Sequence, residues 1–322
     1  MPMKGRDLVA LWDYSPGELR ALLDLAIKVK AKPAQYRDAL RGRTAFLYFE
    51  KPSLRTRVTG EVGMAQLGGA ALTQTPEMGR IGTRESVADV ARNLERWVDI
   101  ICMRTFSQQL VEDMAHHAHV PVVNLLTDLL HPCQALADLQ TLRERFGELK
   151  GLKLAFIGDG NNVAHSLMVG GALSGMKVTV VCPHGHEPNV HVVDRAREIA
   201  RGTGAEIAYT ADLEAGVRGA DAVYTDVWAS MGQEKEAEER RRRFLPYQVN
   251  GRVFGMASPK AVFMHCLPAH RGDEVTDEVA DHERSVIFDE AENRLHVIKA
   301  VYLSSILGVS ASRRPAPRKS RR

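Results

Sequence analysis

The chain has no run approaching the ~20 consecutive apolar residues that a membrane-spanning helix requires. That absence argues against a helical membrane protein. The opening residues 1–14 lack the continuous apolar core of a secretory signal. Cysteine is scarce as well. Cys102, Cys133, Cys182 and Cys266 are scattered, with no CxxC pair. This spacing suits neither a disulfide framework nor a zinc site, and it reads as reduced thiols in a cytoplasmic protein. The last twelve residues, ASRRPAPRKSRR, contain no acid and carry six positive charges. Without them the net charge of +3 becomes −3. The body is therefore mildly acidic, and the basic balance belongs to a tail expected to be disordered. A nucleic-acid role is not indicated, because the other arginine run (Arg240–Arg243) follows acids at i,i+4 spacing and reads as a solvated helix face.

What is present is the composition of a globular protein. Of 322 residues, 44% are apolar and 26% charged, enough for two domains. Short apolar runs alternate with helical patterns. Strands are expected at Thr44–Phe49, Asp99–Arg104, Val120–Asn124, Leu152–Ile157, Lys177–Cys182, Asp221–Tyr224, Ala261–Met264 and Val286–Phe288. Helices are expected at Glu18–Lys30 (after Ser15-Pro16), Val58–Leu67, Glu85–Trp97, Gln108–His117, Ala135–Phe146 and from Arg294 to Leu307. Alternation of this kind means βαβ units. The fold class is α/β, with two doubly wound domains, each a central parallel sheet flanked by helices. Gly147–Gly151 marks the boundary. The first domain is expected over 1–148, the second over 149–291, and the tail over 309–322.

Ligands of such sheets gather at the carboxyl ends of strands. The stretch Glu50–Arg57 lies at one such end and opens a helix. Unpaired N–H groups and the helix dipole favour an anion there. Ser53 and Thr56 add hydroxyls, while Lys51, Arg55 and Arg57 add cations, so phosphate is the expected anion. Arg104 stands at another strand end. His131 and Gln134 open a helix and can both donate to a carbonyl oxygen, although a histidine in that place can also simply cap its own helix. Arg80 lies in the turn-rich loop 75–83.

In the second half, Gly158-Asp159-Gly160-Asn161-Asn162-Val163 looks like the start of a dinucleotide fingerprint, but Val163 occupies the third glycine position. The amides of Asn161 and Asn162 suit a zwitterionic ligand better. Asp226, at a strand end, can hold an ammonium group. Cys266 beside His265 suggests a thiol nucleophile, yet no acyl-transfer constellation accompanies it.

Seven motifs in order now carry a resemblance: SLRTR (53–57), RTF (104–106), HPCQALADL (131–139), GDGNNV (158–163), DVWASMG (226–232), HCLPAHRG (265–272) and AENR (291–294). Together they resemble the transcarbamoylase family, over about residues 10–307. DxxxSMG and HCLP are the marks of its ornithine-using branch rather than its aspartate-using one.

The resemblance implies a first domain for carbamoyl phosphate and a second for ornithine, in arginine metabolism. A last helix, about 292–308, would cross back to the first domain. It implies trimers with shared active sites, the loop at Arg80 reaching into the next one. It also implies roles. Ser53, Leu54, Arg55, Thr56, Arg80, Arg104 and Arg294 would hold carbamoyl phosphate, and Arg104, His131 and Thr56 would polarise its carbonyl. Gln134 would hold the carbamoyl amide. Asn162, Asp226, Ser230 and Met231 would hold ornithine. Cys266 and the Leu267 carbonyl would line the path of its δ-amine. No metal, organic cofactor, nucleic acid or membrane is called for.

Two residues depart from the family pattern. Leu54 stands where a threonine is usual, which predicts phosphate binding weaker by about 1 kcal/mol. Gly60 stands where a bulky apolar residue is usual. The alternatives are a transcarbamoylase acting on another amine such as putrescine or N-acetylornithine, a non-catalytic relative that only binds, and a dehydrogenase.

Overall fold

The computed structural model of the protein describes residues 3–229 and 236–310. They pack as two compact units. The first takes 3–9, 17–127 and 294–310, and the second takes 10–16, 128–229 and 236–293.

The first unit is built on four parallel strands, β1 (Thr44–Phe49), β2 (Ala70–Gln74), β3 (Ile100–Arg104) and β4 (Val122–Leu126), in the order β2-β1-β3-β4. Its helices are α1 (Pro16–Ala31), α2 (Leu54–Gln66), α3 (Val87–Trp97) and α4 (Gln108–His117). Side chains alternate across a strand, so Phe46 and Tyr48 of β1 join Ile101 and Met103 of β3 on one face. There they bury Ala91 and Leu94 of α3 and Val111 and Met114 of α4. On the opposite face Leu47 meets α2 at Gly60. A Cβ there would stand 3.2 Å from Leu47 Cδ1 and 3.5 Å from the Tyr302 hydroxyl, and that hydroxyl donates to the Gly60 carbonyl at 3.2 Å. Leu47 and Tyr302 fill the space, so the missing side chain leaves no gap.

The second unit has five parallel strands, β5 (Lys153–Ile157), β6 (Lys177–Val181), β7 (Glu206–Thr210), β8 (Ala222–Thr225) and β9 (Val262–His265), in the order β7-β6-β5-β8-β9. Its helices are α5 (Pro132–Phe146), α6 (Asn162–Ser174), α7 (Val190–Thr203), α8 (Leu213–Val217), α9 (Ala237–Phe244), α10 (Gly251–Gly255), α11 (Asp277–Ala280) and the start of α12 (Ile287–Leu307). From Arg294 onward α12 belongs to the first unit. One core runs from Ala155 and Ile157 of β5 through Val223 and Phe263 to Val253, Phe254 and Ile287.

Both sheets have a switch point, where the chain leaves one side of the first strand and returns on the other. In the first unit it falls between β1 and β3, and in the second between β5 and β8. The crevice at the carboxyl ends of such a strand pair is where open α/β sheets bind ligands.

Two readings of the sequence are corrected. Val286–Phe288 is not a strand. Only a single bridge forms, Phe263 with Ser285, and α12 starts at Ile287. Val286 and Ile287 are buried, Phe288 is exposed, and Asp289 suits a helix's first turn. The last helix therefore begins well before 292. Strands β2 and β7, not expected from the sequence, complete the two sheets at an edge. The compact units part between Thr127 and Asp128, and α5, buried from Pro132 to Leu142, packs on α6 within the second unit.

Candidate active site

In the first unit the switch point is formed by the turn after β1 and the end of β3. Ser53 is the N-cap of α2, and its Oγ accepts from the Thr56 N–H at 3.2 Å. The cap holds Thr56 at the helix start with its side chain buried. Two guanidinium groups converge on the Thr56 hydroxyl oxygen. Arg104 Nη1, from the end of β3, lies at 3.5 Å, and Arg294 Nη2, from α12, at 3.2 Å. Arg104, Arg294 and Lys51 are all buried, and the Lys51 ammonium sits 4.4 Å from the Phe106 ring centre. Burying cations costs free energy that only anions or strong acceptors offset. With the helix dipole pointing the same way, this turn is suited to a dianion. Arg55 is half-buried in the first turn. The Leu54 side chain, by contrast, is 73% exposed, so this position offers its backbone rather than its side chain. Arg80 is exposed, 3.7 Å from Glu50, at the lip of a cleft it shares with Met78, Ile81 and Trp97.

In the second unit the switch point joins the turn after β5 to Asp226, just past β8. Asn161 is the N-cap of α6. Its Oδ1 accepts from Val163 and Ala164, and its Nδ2 donates to Asp226 Oδ2 at 2.8 Å. Asp226 Oδ1 accepts from the Val227 N–H at 2.8 Å and from the Cys266 thiol at 3.0 Å. Burial, and then Asp226, pushes the Cys266 thiol well above its ordinary range. It stays protonated, which removes the thiolate that a nucleophile needs. Asn162 follows at the first position of α6, half-buried. Ser230 and Met231 lie outside the described residues.

The glycine of this turn has a packing reason. A Cβ on Gly160 would stand 2.3 Å from the Pro188 nitrogen and 2.5 Å from the Glu187 carbonyl carbon. The chain's own backbone fills the space where a fingerprint glycine would admit a pyrophosphate. Beside it Asp159 is paired with Arg240 and lies 3.3 Å from His186.

After β9, Leu267 adopts φ 58°, a left-handed backbone unusual for leucine. Its N–H donates to His265 Nδ1 at 2.8 Å, while His265 Nε2 faces Glu274 at 3.1 Å. Asp226, His265 and Cys266 bring ligand atoms within 4.8 Å of one another. Yet both ring nitrogens of His265 are engaged in holding this loop, so a metal would have to dismantle it.

At the start of α5, His131 occupies the N-cap position but its side chain does not cap the helix. The His131 backbone N–H donates to Ser166 Oγ at 2.7 Å. Gln134 is buried, and its Nε2 donates to Asp138 Oδ1 and to Glu290 Oε1, both at 2.8 Å. Glu290 also accepts from the Tyr224 hydroxyl at 3.0 Å and the His265 N–H at 3.1 Å. Burial, and then Asp138, holds the Glu290 carboxyl well above the usual carboxylate range. The sequence reading missed Asp138, Tyr224 and Glu290. Acids inside a polar motif look like a solvated helix face, and nothing local reveals a partner some 150 residues away.

So Thr56, Arg104 and Arg294 meet in the first unit, beside Ser53 and Arg55. Asp226 and Cys266 meet in the second, with Asn161 rather than Asn162 touching the carboxylate.

Two family models match the chain. The aspartate/ornithine carbamoyltransferase carbamoyl-P binding domain matches residues 6–144, and the Asp/Orn binding domain of the same family matches 150–305. The chain is 52% identical to the ornithine carbamoyltransferase of Anoxybacillus flavithermus, over 94% of this chain and 97% of that one. It is 50% identical to that of Pyrococcus abyssi, over 95% and 97%. Among solved structures, ornithine carbamoyltransferase from Pyrococcus furiosus superposes with a TM-score of 0.93 at 47% identity, covering 96% of this chain and 99% of that one. The enzyme from Thermus thermophilus gives 0.84 at 48%, covering 93% and 98%.

Proposed function

The chain belongs to the aspartate/ornithine carbamoyltransferase family, and we propose that it transfers the carbamoyl group of carbamoyl phosphate to the δ-amine of L-ornithine, giving L-citrulline and phosphate. The observation that carries this reading is the convergence of Arg104 and Arg294 on the Thr56 hydroxyl at the capped start of α2.

There the phosphate would lie against the first-turn N–H groups, with Ser53, Leu54 (through its backbone), Arg55, Thr56 and Arg294 as donors. Arg104, His131 and the Thr56 hydroxyl would donate to the carbamoyl oxygen, whose negative charge grows as the amine attacks. Gln134 would hold the carbamoyl amide. In the second unit, Asp226 would take the α-ammonium of ornithine, with Asn162, Ser230 and Met231 completing the α-amino acid site. A free alkylamine of pKa ~10.4 is almost wholly protonated at neutral pH. Burial beside cations favours its neutral form, and the Leu267 carbonyl and the protonated Cys266 thiol would line its path. The amine nitrogen attacks the carbamoyl carbon, the carbon–oxygen bond to phosphate breaks, and the departing phosphate takes the amine proton. No dedicated strong base is needed.

A homo-oligomer is part of the proposal, in the trimeric form that the resemblance implies, with Arg80 contributed to a neighbouring site. It is supported by a stripe of exposed apolar residues, Leu54, Val58 and Val62, at every fourth position of α2, with Leu72 exposed on the edge strand β2. No helix among the described residues is long and apolar enough to cross a membrane. The scattered cysteines support a reducing compartment, and we assign the enzyme to the cytoplasm and to arginine metabolism.

The test is ligand-dependent melting. Carbamoyl phosphate is expected to raise the melting temperature, NAD to leave it unchanged, and ornithine added to the carbamoyl phosphate complex to release phosphate. Stabilisation by NAD alone would overturn the reading.

A further inference from the structure

His265 and Glu274 form a completely buried pair in the second unit, His265 as the last residue of β9. The hydrogen on the imidazole can be located from its neighbours. A backbone N–H can only donate, and the Leu267 N–H points at His265 Nδ1 at 2.8 Å. Nδ1 must therefore present its lone pair, which leaves the ring neutral with its hydrogen on Nε2. Nε2 faces Glu274 Oε1 at 3.1 Å, an acceptor for that hydrogen. The same oxygen accepts from the His270 backbone N–H. Glu274 itself is anchored elsewhere. Its carbonyl accepts from the Val249 N–H at 2.9 Å, and Val275 bridges to Val249. One carboxyl oxygen thus closes the loop 266–270 at two places, directly at His270 and through the imidazole at Leu267.

Leu267 needs such a hold. Its φ of 58° is a conformation that a residue with a bulky side chain rarely adopts. Its side chain packs on the core of the second unit. We propose that Glu274 is a positioning residue that acts through His265. By fixing the ring hydrogen on Nε2 it keeps Nδ1 an acceptor for the Leu267 N–H, and so fixes the backbone on which the Leu267 carbonyl sits. Without the Glu274 oxygen the ring is free to carry its hydrogen on Nδ1, where it opposes the Leu267 N–H, donor against donor. Leu267 then relaxes out of the left-handed region and its carbonyl turns. The inference rests on the reading that this carbonyl lines the path of the ornithine δ-amine. It adds that the amine is aligned by an acid that is itself completely buried.

Two substitutions separate this role from a merely structural one. Glu274→Leu removes the acceptor. Glu274→Gln keeps it, since the amide oxygen can take the place of Oε1. The amide nitrogen then falls where Oε2 lies, and Oε2 has no hydrogen-bond partner among the described residues, so no donor opposes it.

Citrulline formation gives kcat and KM for the intact protein and both variants. Calorimetry in the presence of carbamoyl phosphate gives the affinity for L-norvaline, which is ornithine without its δ-amine. Glu274→Leu is expected to lower kcat about tenfold, the worth of one good hydrogen bond, with norvaline affinity within about threefold of wild type. Glu274→Gln is expected to keep kcat within about threefold. Equal losses in kcat and norvaline affinity, an unchanged kcat in Glu274→Leu, or a glutamine variant as slow as the leucine one would overturn the inference. A wild type that makes no citrulline from ornithine would overturn the functional reading instead. Nitrogen NMR of the unaltered protein tests the ring directly and needs no variant to fold. The His265 ring is picked out by the coupling that its N–H···N bond transmits to the Leu267 amide nitrogen. Hydrogen on Nε2 and none on Nδ1 is the expected result. Hydrogen on Nδ1, or no such coupling, would overturn the proposal.

Discussion

Replacing Gly160 by alanine is expected to damage the second unit's switch point, stability and ornithine binding together. The added methyl would stand 2.3 Å from Pro188 N, 2.5 Å from Glu187 C and 2.7 Å from Pro188 Cα. All three are backbone atoms, so no side chain can rotate away. Either the segment around residue 187 or the turn itself must move by about 1 Å to restore ordinary contact. The Gly160 N–H donates to the His186 carbonyl at 2.9 Å, and that bond is strained by either movement. Overpacking of this kind costs about 3 kcal/mol, which for a unit of this size lowers the melting temperature by about 6–12 °C. The next residue is Asn161, whose side chain both caps α6 and holds Asp226. Tilting it misplaces the carboxylate read as the α-ammonium partner. The KM for ornithine is then expected to rise by about tenfold, one hydrogen bond's worth, while the KM for carbamoyl phosphate stays within about threefold. Thermal unfolding and steady-state citrulline formation check the two halves. A variant as stable as wild type to within 0.5 kcal/mol, the scatter of surface substitutions, or one that raises both KM values equally, would refute the reasoning.

Thr56→Val keeps the side-chain shape but removes the oxygen on which Arg104 and Arg294 converge. A hydrogen bond from a charged donor contributes ~1.5–3 kcal/mol, so affinity for carbamoyl phosphate measured by calorimetry is expected to fall roughly ten- to a hundredfold. Leu54→Thr supplies the hydroxyl usual at that position and is expected to tighten carbamoyl phosphate about fivefold, or 1 kcal/mol; no gain would mean that the backbone N–H suffices. His165 governs a pH effect. Its Nδ1 bonds the Leu129 carbonyl at 2.9 Å, its Nε2 accepts from the Asn189 N–H at 2.8 Å, and burial lowers its pKa. The unfolded chain therefore binds the proton first, near pH 6.5, and stability falls as pH drops below that value by up to ~1.4 kcal/mol per unit until the folded pKa is reached. Urea unfolding at pH 7.5 and 5.5 is expected to show a larger loss for wild type than for His165→Gln.

How much of this was legible in the sequence depends on how local the cause is. Thr44–Phe49 was readable as a buried strand because five of its six residues face the interior. Strands β2 and β7 were not, because most of their residues are partly or fully exposed and form no continuous apolar run, unlike the buried edge strands β4 and β9. Val286–Phe288 misled because three apolar residues fit either a strand or the buried side of a helix start. At the site, Thr56, Arg104 and Asp226 were legible, since strand ends and helix starts are local features and the chemistry of their side chains is specific. Arg294 was reached only through the resemblance to a family. Glu290 was not reached at all, because its meaning lies in Gln134, Tyr224 and His265, which come from other elements. Gly160 was visible only as part of a failing fingerprint, and its reason is a backbone segment that no spacing rule brings beside it.

The most direct test of the central claim offers the purified protein carbamoyl phosphate with ornithine, putrescine, N-acetylornithine and aspartate in parallel, and follows the carbamoylated products. The account predicts citrulline from ornithine and no comparable turnover of the other three, because Asp226 requires an α-ammonium and the site a free δ-amine. Turnover of putrescine or N-acetylornithine at a similar rate would contradict the role given to Asp226. Binding of carbamoyl phosphate without turnover of any amine would contradict catalysis itself.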